Sequence, residues 1–191
     1  MELLQKRILQ DGRVLPSGVV QVDSFLNHMV DPQLLFAMGK DIAEKYKNRR
    51  ITKVLTIEAS GIAIASFVAI ALGVPFIFAK KQKSNNLDGA HHTASVYSFT
   101  KETEYEIRVA KKLLEPTDSV LIVDDFLAMG SALSGLCTLV KSAGATVTGC
   151  AIAIEKAWLK GGETVRETGI PVYSLAKILE IRDGIPLFAE N

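Results

Sequence analysis

The stretch Ala59–Ala79 contains no charged residue, and this constrains the fold more than any other feature of the sequence. About 20 predominantly apolar residues can cross a bilayer as a helix, so a membrane span has to be considered first. However, a Leu-Gly-Val-Pro segment at 72–75 is typical of a helix end followed by extended backbone. We therefore predict two buried elements instead of a span, a helix over Gly61–Leu72 and a strand over Val74–Ala79.

The same alternation of strand-like and helix-like segments continues along the chain. Val- and Ile-rich segments predict strands over Lys53–Ile57, Ser119–Val123 and Thr146–Ile154. Helices are predicted over Ser131–Ala143 and, from apolar residues spaced three and four apart, over Pro32–Tyr46. Such alternation is typical of an α/β fold with a mostly parallel central sheet and helices on both faces.

Length and charge limit the classes of function. The 191 residues suit a single domain, 1–191, and the formal net charge of +1 gives no general attraction to nucleic acid or membranes. Any anion site must therefore be local. Cys137 and Cys150 lack metal-ligand spacing, which favours free buried thiols, and the first residues lack the pattern of a secretory signal. We expect a cytoplasmic protein.

The segment around Asp124 and Asp125 carries the strongest chemical signal. Four apolar residues, Val120–Val123, precede this acidic pair, and a loop of small residues, Ala128–Ala132, leads into a helix. Ligands of open α/β sheets bind beyond the carboxyl ends of the strands, and a helix N-terminus suits a phosphate. Carboxylates there suit sugar hydroxyls or a magnesium shell, so the pattern indicates a ribose phosphate. A turn that merely caps the helix would give the same pattern.

This segment resembles the phosphoribosyl diphosphate signature of the type I phosphoribosyltransferases. The resemblance covers nearly the whole chain, and it implies that family's fold, with an N-terminal hood from about residues 1–30 and a flexible lid loop. It also implies Mg²⁺ bound together with phosphoribosyl diphosphate, and ribose contacts from Asp124 and Asp125. The predicted 5′-phosphate loop consists of Ala128, Met129, Gly130, Ser131 and Ala132. Only Ser131 brings a hydroxyl, so backbone N–H groups must hold the phosphate, and Ala128 leaves no general base to propose.

Two further segments complete the predicted diphosphate site. The resemblance assigns diphosphate binding to a loop that is otherwise an ordinary helix start, Glu58, Ala59, Ser60 and Gly61. It assigns diphosphate contact to Lys81, and a lid that closes over the site to Lys83, Ser95 and Tyr97. His91 and His92 lie in this region but lack the spacing of a metal-binding pair, so no metal site of the protein's own is predicted.

Base recognition is predicted at Lys156 and in the hood. Lys156 follows an apolar strand, and its ammonium group can only donate, which suits a carbonyl group. The resemblance places Lys156 at the purine 6-oxo group and places Val20 and Asn27 over the base. Asn27 can donate to a 2-oxo group that adenine and hypoxanthine lack, and an unpaired buried amide costs about 1–3 kcal/mol.

The expected function is therefore transfer of a phosphoribosyl group to xanthine in purine salvage, and the resemblance implies a homodimer. Two alternatives from other classes are a purine-sensing regulator of the same fold and a nucleotide-binding subunit, both without turnover. A regulator would need a DNA-binding module, and little chain precedes Lys53 at the first predicted core strand.

Overall fold

The computed structural model describes residues 1–81, 89–98 and 102–190. Its α-helices are α1 (Glu2–Asp11), α2 (Pro32–Tyr46), α3 (Gly61–Leu72), α4 (Ser131–Ser142) and α5 (Gly161–Glu167). Its strands are β1 (Arg13–Val14), β2 (Val20–Gln21), β3 (Lys53–Ile57), β4 (Phe76–Ala79), β5 (His91–Ser98), β6 (Thr103–Ala110), β7 (Ser119–Leu127), β8 (Thr146–Lys156), β9 (Val172–Arg182) and β10 (Ile185–Phe188). Short helical turns lie at Asp23–Asn27, Lys111–Leu113 and Ala157–Leu159.

A six-stranded sheet with the order β10-β9-β8-β7-β3-β4 forms the centre of the molecule. All its neighbouring pairs are parallel except β9 and β10. One face carries a core that includes α2 and α3 residues such as Leu35 and Ile64, and the other face carries a core that includes Leu136 of α4. This confirms the predicted α/β architecture.

The uncharged stretch forms a helix and a strand, as predicted, but neither is buried on all sides. Helix α3 has the predicted bounds, yet Ile70 is 68% exposed because the helix covers the sheet with one side only. Strand β4 starts at Phe76 and is the last strand of the sheet, which leaves Phe78 37% exposed. Within the described ranges, no helix is both long and apolar enough to cross a membrane.

Strands β7 and β8 extend further than the sequence predicted. Pairing continues through Asp124 with Ile152 and through Phe126 with Ile154, so β7 ends at Leu127 and β8 at Lys156. The prediction that the strand ends before the acidic pair is therefore wrong. Each strand supplies hydrogen-bond partners for the backbone of the other, so the pairing continues through the two aspartates.

Residues 91–98, which include the predicted lid residues Ser95 and Tyr97, form a strand that pairs with residues 103–110. Strands β5 and β6 pair along eight residues each, and Val96 and Ile107 are buried in the core that includes α4. Two backbone hydrogen bonds of 3.0 Å between Lys80 and Arg108 join this hairpin to the end of β4. Lys83, predicted as a lid residue, lies outside the described residues.

Candidate active site

The acidic pair combines one buried and one half-buried carboxylate. Asp124 is 5% exposed, and its Oδ1 accepts a 3.0 Å hydrogen bond from the backbone N–H of Asp125. Burial, together with the neighbouring Asp125 carboxylate, raises the pKa of Asp124 well above its usual range. Asp125 Oδ1 accepts from the backbone N–H of Phe126 at 2.9 Å. Of the two carboxyl groups, Asp125 is therefore the one open to a ligand.

The predicted phosphate loop joins β7 to α4 and has the expected form. Gly130 adopts a positive φ of 83° and precedes Ser131, the first residue of α4. The first N–H groups of a helix have no partner within the helix, so they can bind an anion at this loop. A pocket of about 200 Å³ lies between the loop and the β5–β6 hairpin, lined by Tyr97 and Tyr105 among others.

The predicted diphosphate loop lies between β3 and α3, close to the acidic pair. A Cβ atom at Gly61 would lie 2.0 Å from Thr56 Oγ1 and 3.1 Å from Asp124 Oδ1, so this helix start contacts the acidic pair directly. Glu58 Oε1 accepts a 2.6 Å hydrogen bond from the backbone N–H of Lys81. The Lys81 ammonium lies 5.7 Å from the centre of the Tyr105 ring. The structure thus brings Glu58, Gly61 and Lys81 together beside Asp124.

Asn27 and Lys156 lie near two consecutive residues of β7, Asp125 and Phe126 respectively. Asn27 Nδ2 lies 3.4 Å from Asp125 Oδ2, although the two residues are far apart in the sequence. The Lys156 ammonium lies 5.6 Å from the centre of the Phe126 ring, and burial lowers the pKa of Lys156. The Phe126 ring can provide stacking for a flat oxo-heterocycle, and the Lys156 ammonium and the Asn27 amide can provide hydrogen-bond donors.

The other predicted site residues include Val20, Ser95 and Tyr97. Val20 is 4% exposed and belongs to the same core as α1, so its predicted contact with a base stays a prediction. Ser95 and Tyr97 are exposed on β5, and Tyr97 lines the pocket beside the phosphate loop. Their predicted lid role also stays a prediction.

Sequence reasoning missed Phe126, Tyr105 and Gly161 as residues of the site. Phe126 follows the acidic pair directly, and an aromatic residue there was a signal that could have been used. Burial and the nearby Asp124 raise the pKa of Tyr105, which only the folded chain brings to the site. Gly161 contacts the phosphate loop from a different element and has no signal in the local sequence.

Comparison with known proteins identifies the family. A family model described as a phosphoribosyl transferase domain matches residues 28–178, so the chain belongs to the phosphoribosyltransferase family, as predicted. The fold described above is the type I fold of that family. Among solved structures, an APRTase from Giardia lamblia complexed with 9-deazaadenine has 30% sequence identity and a TM-score of 0.69, over 78% of this chain and 82% of that one.

Relatives that match the whole chain carry a more specific name. A protein from Bacillus cytotoxicus named xanthine phosphoribosyltransferase is 48% identical over 100% of this chain and 97% of its own length. Another of the same name, from Oceanobacillus iheyensis, is 50% identical over 100% of this chain and 98% of its own length. These names give no support to the regulatory alternative.

Proposed function

We propose that the protein transfers the 5-phosphoribosyl group from phosphoribosyl diphosphate to xanthine, giving xanthosine 5′-monophosphate and diphosphate. The observation that carries the proposal is that Asn27 lies against Asp125 and Lys156 against the Phe126 ring, on the strand that leads into the start of α4. The names of the full-length relatives agree with this substrate.

The reaction is a displacement at ribose C1. The bond between C1 and the diphosphate oxygen breaks, the bond between C1 and the base nitrogen forms, and the proton of that nitrogen leaves to solvent. Because diphosphate is a good leaving group once its charge is neutralised, the protein has to position both substrates and stabilise charge. Lys81 and the Gly61 helix start supply positive potential for the diphosphate.

Asp125 suits the ribose hydroxyls, because a half-buried carboxylate accepts their hydrogen bonds. It also suits Mg²⁺, which binds in proteins through one or two carboxylates together with substrate phosphates and water. The described residues contain no cluster of three potential metal ligands. Substrate and water would therefore provide most of the ligands of the ion. When bound, magnesium would neutralise charge on the leaving diphosphate.

Recognition of xanthine rests on two donors. The Lys156 ammonium donates to the 6-oxo group and cannot accept from the 6-amino group of adenine. Asn27 exchanges its long contact with Asp125 for the 2-oxo group of xanthine. Hypoxanthine lacks a group at this position and offers the amide no acceptor.

The protein also acts, in this proposal, as a cytoplasmic homodimer. Its substrate phosphoribosyl diphosphate is highly charged and does not cross membranes, which favours the cytoplasm. An apolar groove of about 290 Å³ lies between the edge strand β4 and β6, and Phe76, Phe78 and Leu113 are among its lining residues. Such an edge with apolar side chains is suited to a second copy.

The test is incubation with magnesium, phosphoribosyl diphosphate and each of four bases: xanthine, guanine, hypoxanthine and adenine. We expect the highest kcat/KM with xanthine, a lower value with hypoxanthine and none with adenine. If no base yields a nucleotide, the enzymatic proposal is wrong. If guanine and xanthine react equally well, the role given to Asn27 is wrong.

A further inference from the structure

The phosphate loop rests on the backbone of another segment, the start of α5. Gly161 N–H donates a 3.1 Å hydrogen bond to the carbonyl oxygen of Ala128. A Cβ atom at Gly161 would lie 2.2 Å from that oxygen and 2.5 Å from the Gly130 nitrogen. A Cβ atom at Gly130 would lie 3.1 Å from the Gly161 Cα. The two backbones are in direct contact, and no side chain fits between them.

An ion pair between buried Glu155 and half-buried Arg166 holds α5 in this position. Two nitrogens of the Arg166 guanidinium each donate a 2.7 Å hydrogen bond to a different oxygen of Glu155, which is 1% exposed. Arg166 also donates to the carbonyl of Val172 at 3.3 Å, and the Ser174 hydroxyl donates to Glu155. Such bidentate pairs fix both the distance and the orientation of the two side chains. This pair therefore ties α5 to β8 and β9.

The end of β8 connects α5 to the base site. Glu155 and Lys156 are consecutive there, and Lys156 approaches the Phe126 ring. Successive side chains of a strand point to opposite faces, so Glu155 holds α5 while Lys156 faces the base. The distance between the phosphate loop and Lys156 thus depends on the pairing of Leu127 with Glu155 and on the contact of α5 with the loop.

We propose that Gly161 and the Glu155–Arg166 pair are positioning residues that fix the 5′-phosphate loop at the correct distance from the base site. This inference rests on the proposed function. None of the three is placed against substrate in this assignment. Their effect is to hold the backbone N–H groups of residues 128–132 in a geometry that fits the phosphate.

The experiment compares Gly161→Ala with the wild type in two measurements. Calorimetric titration with ribose 5-phosphate measures the phosphate site directly, and steady-state kinetics measure the KM of each substrate. The added methyl group displaces the loop, so we expect ribose 5-phosphate affinity to fall and the KM for phosphoribosyl diphosphate to rise by about tenfold or more. The KM for xanthine should change by less than about twofold.

Gly149→Ala is the matched control. Gly149 is a buried glycine of β8, and a Cβ there would meet the Tyr46 ring at 2.7 Å, away from the phosphate loop. We expect this variant to have a lower Tm and wild-type affinity for ribose 5-phosphate. A fall in phosphate affinity as large as that of Gly161→Ala would mean that strain anywhere in the core suffices, which would overturn the proposal.

Arg166→Lys keeps the inference testable if Gly161→Ala does not fold. Lysine retains the positive charge that Glu155 needs but cannot form the bidentate pair of hydrogen bonds, so α5 is held less precisely. We expect weaker ribose 5-phosphate binding with the KM for xanthine nearly unchanged. Wild-type affinity in folded variants would overturn the proposed positioning role. Failure of the wild type itself to bind ribose 5-phosphate or phosphoribosyl diphosphate would instead overturn the proposed function, and with it this inference.

Discussion

Asp124 and Asp125 are neighbours in β7 but differ in what they can do. Asp124 is buried against the α3 start and has its Oδ1 occupied by the Asp125 N–H, whereas Asp125 is half-buried and lies near Asn27. The raised pKa of Asp124 means that the folded chain disfavours its charge. We therefore expect Asp125 to meet the ribose and Asp124 to shape the site around it.

Replacement of Asp124 by asparagine should change the pH dependence of stability. Since the folded-state pKa of Asp124 lies above the unfolded value, the wild type loses stability as pH rises above the unfolded pKa of about 4. The asparagine amide cannot ionise, so the stability of the variant does not fall with pH for this reason. Thermal denaturation measures the Tm of both proteins at pH 4 and pH 8. The Tm of Asp124→Asn minus that of the wild type should be more positive at pH 8 than at pH 4. A difference that is constant or falls with pH would contradict the buried-acid interpretation.

Replacement of both Asp124 and Asp125 by asparagine should abolish detectable turnover. Ribose positioning requires acceptors with negative charge, whereas folding does not, so the double variant should keep a cooperative thermal transition close to that of the wild type. Nucleotide formation from xanthine and circular dichroism test the two halves of this expectation. Unchanged kinetics would show that the acidic pair only caps the turn.

Lys156→Ala tests the base site alone. In the proposed function the lost ammonium donates to the base, so the KM for xanthine should rise by about tenfold or more, a loss typical of a charged hydrogen bond. The KM for phosphoribosyl diphosphate should change much less. The reverse pattern in steady-state kinetics would place Lys156 at the diphosphate instead.

At the scale of elements, the site depends on how closely helix starts approach the strands. Helix α3 begins against β3 and β7, because Gly61 lies between Thr56 and Asp124. The Thr56 hydroxyl is buried and has no hydrogen-bond partner among the described residues. The close contact at Gly61 therefore occurs beside a polar atom that the fold leaves unsatisfied.

Gly61→Ala should destabilise the fold by about 1–3 kcal/mol, because the new methyl group would overlap Thr56 Oγ1 at 2.0 Å. Urea denaturation measures this loss. Thr56→Ala removes the overlapping atom, so the double variant should be more stable than Gly61→Ala alone, with Thr56→Ala as the control. Strict additivity of the two effects would show that this contact does not cause the loss.

At the scale of the whole molecule, the edge of the sheet at β4 carries an apolar groove near the site. Strand β4 lies at this edge and leads directly into Lys81. A second copy docked here would therefore cover a surface continuous with the diphosphate site.

Phe78→Glu should convert the proposed homodimer into a monomer, because the substitution places a charge in the apolar groove of β4. Sedimentation velocity measures the change. Leu9→Glu is the control, since Leu9 is 51% exposed on α1 and lines no part of that groove. A wild type that sediments as a monomer, or a Phe78→Glu variant that stays dimeric, would contradict this assignment of the interface.

The sequence by itself determined the alternation of helices and strands and the chemistry of the segments that end near the site. Helices α2 and α3 have the predicted bounds because hydrophobic spacing and the glycine after Leu72 are local signals. The acidic pair and the phosphate loop were likewise found from adjacent residues. The resemblance to a family started from the same short segment.

Tertiary structure alone decided which residues meet. The ends of β7 and β8 are set by mutual pairing, and the exposure of Phe78 is set by the position of β4 at the sheet edge. Asn27 reaches Asp125, and Gly161 supports the phosphate loop, across long separations in the chain. Such contacts depend on the order of strands and on backbone approach between elements, which no local pattern of residues encodes.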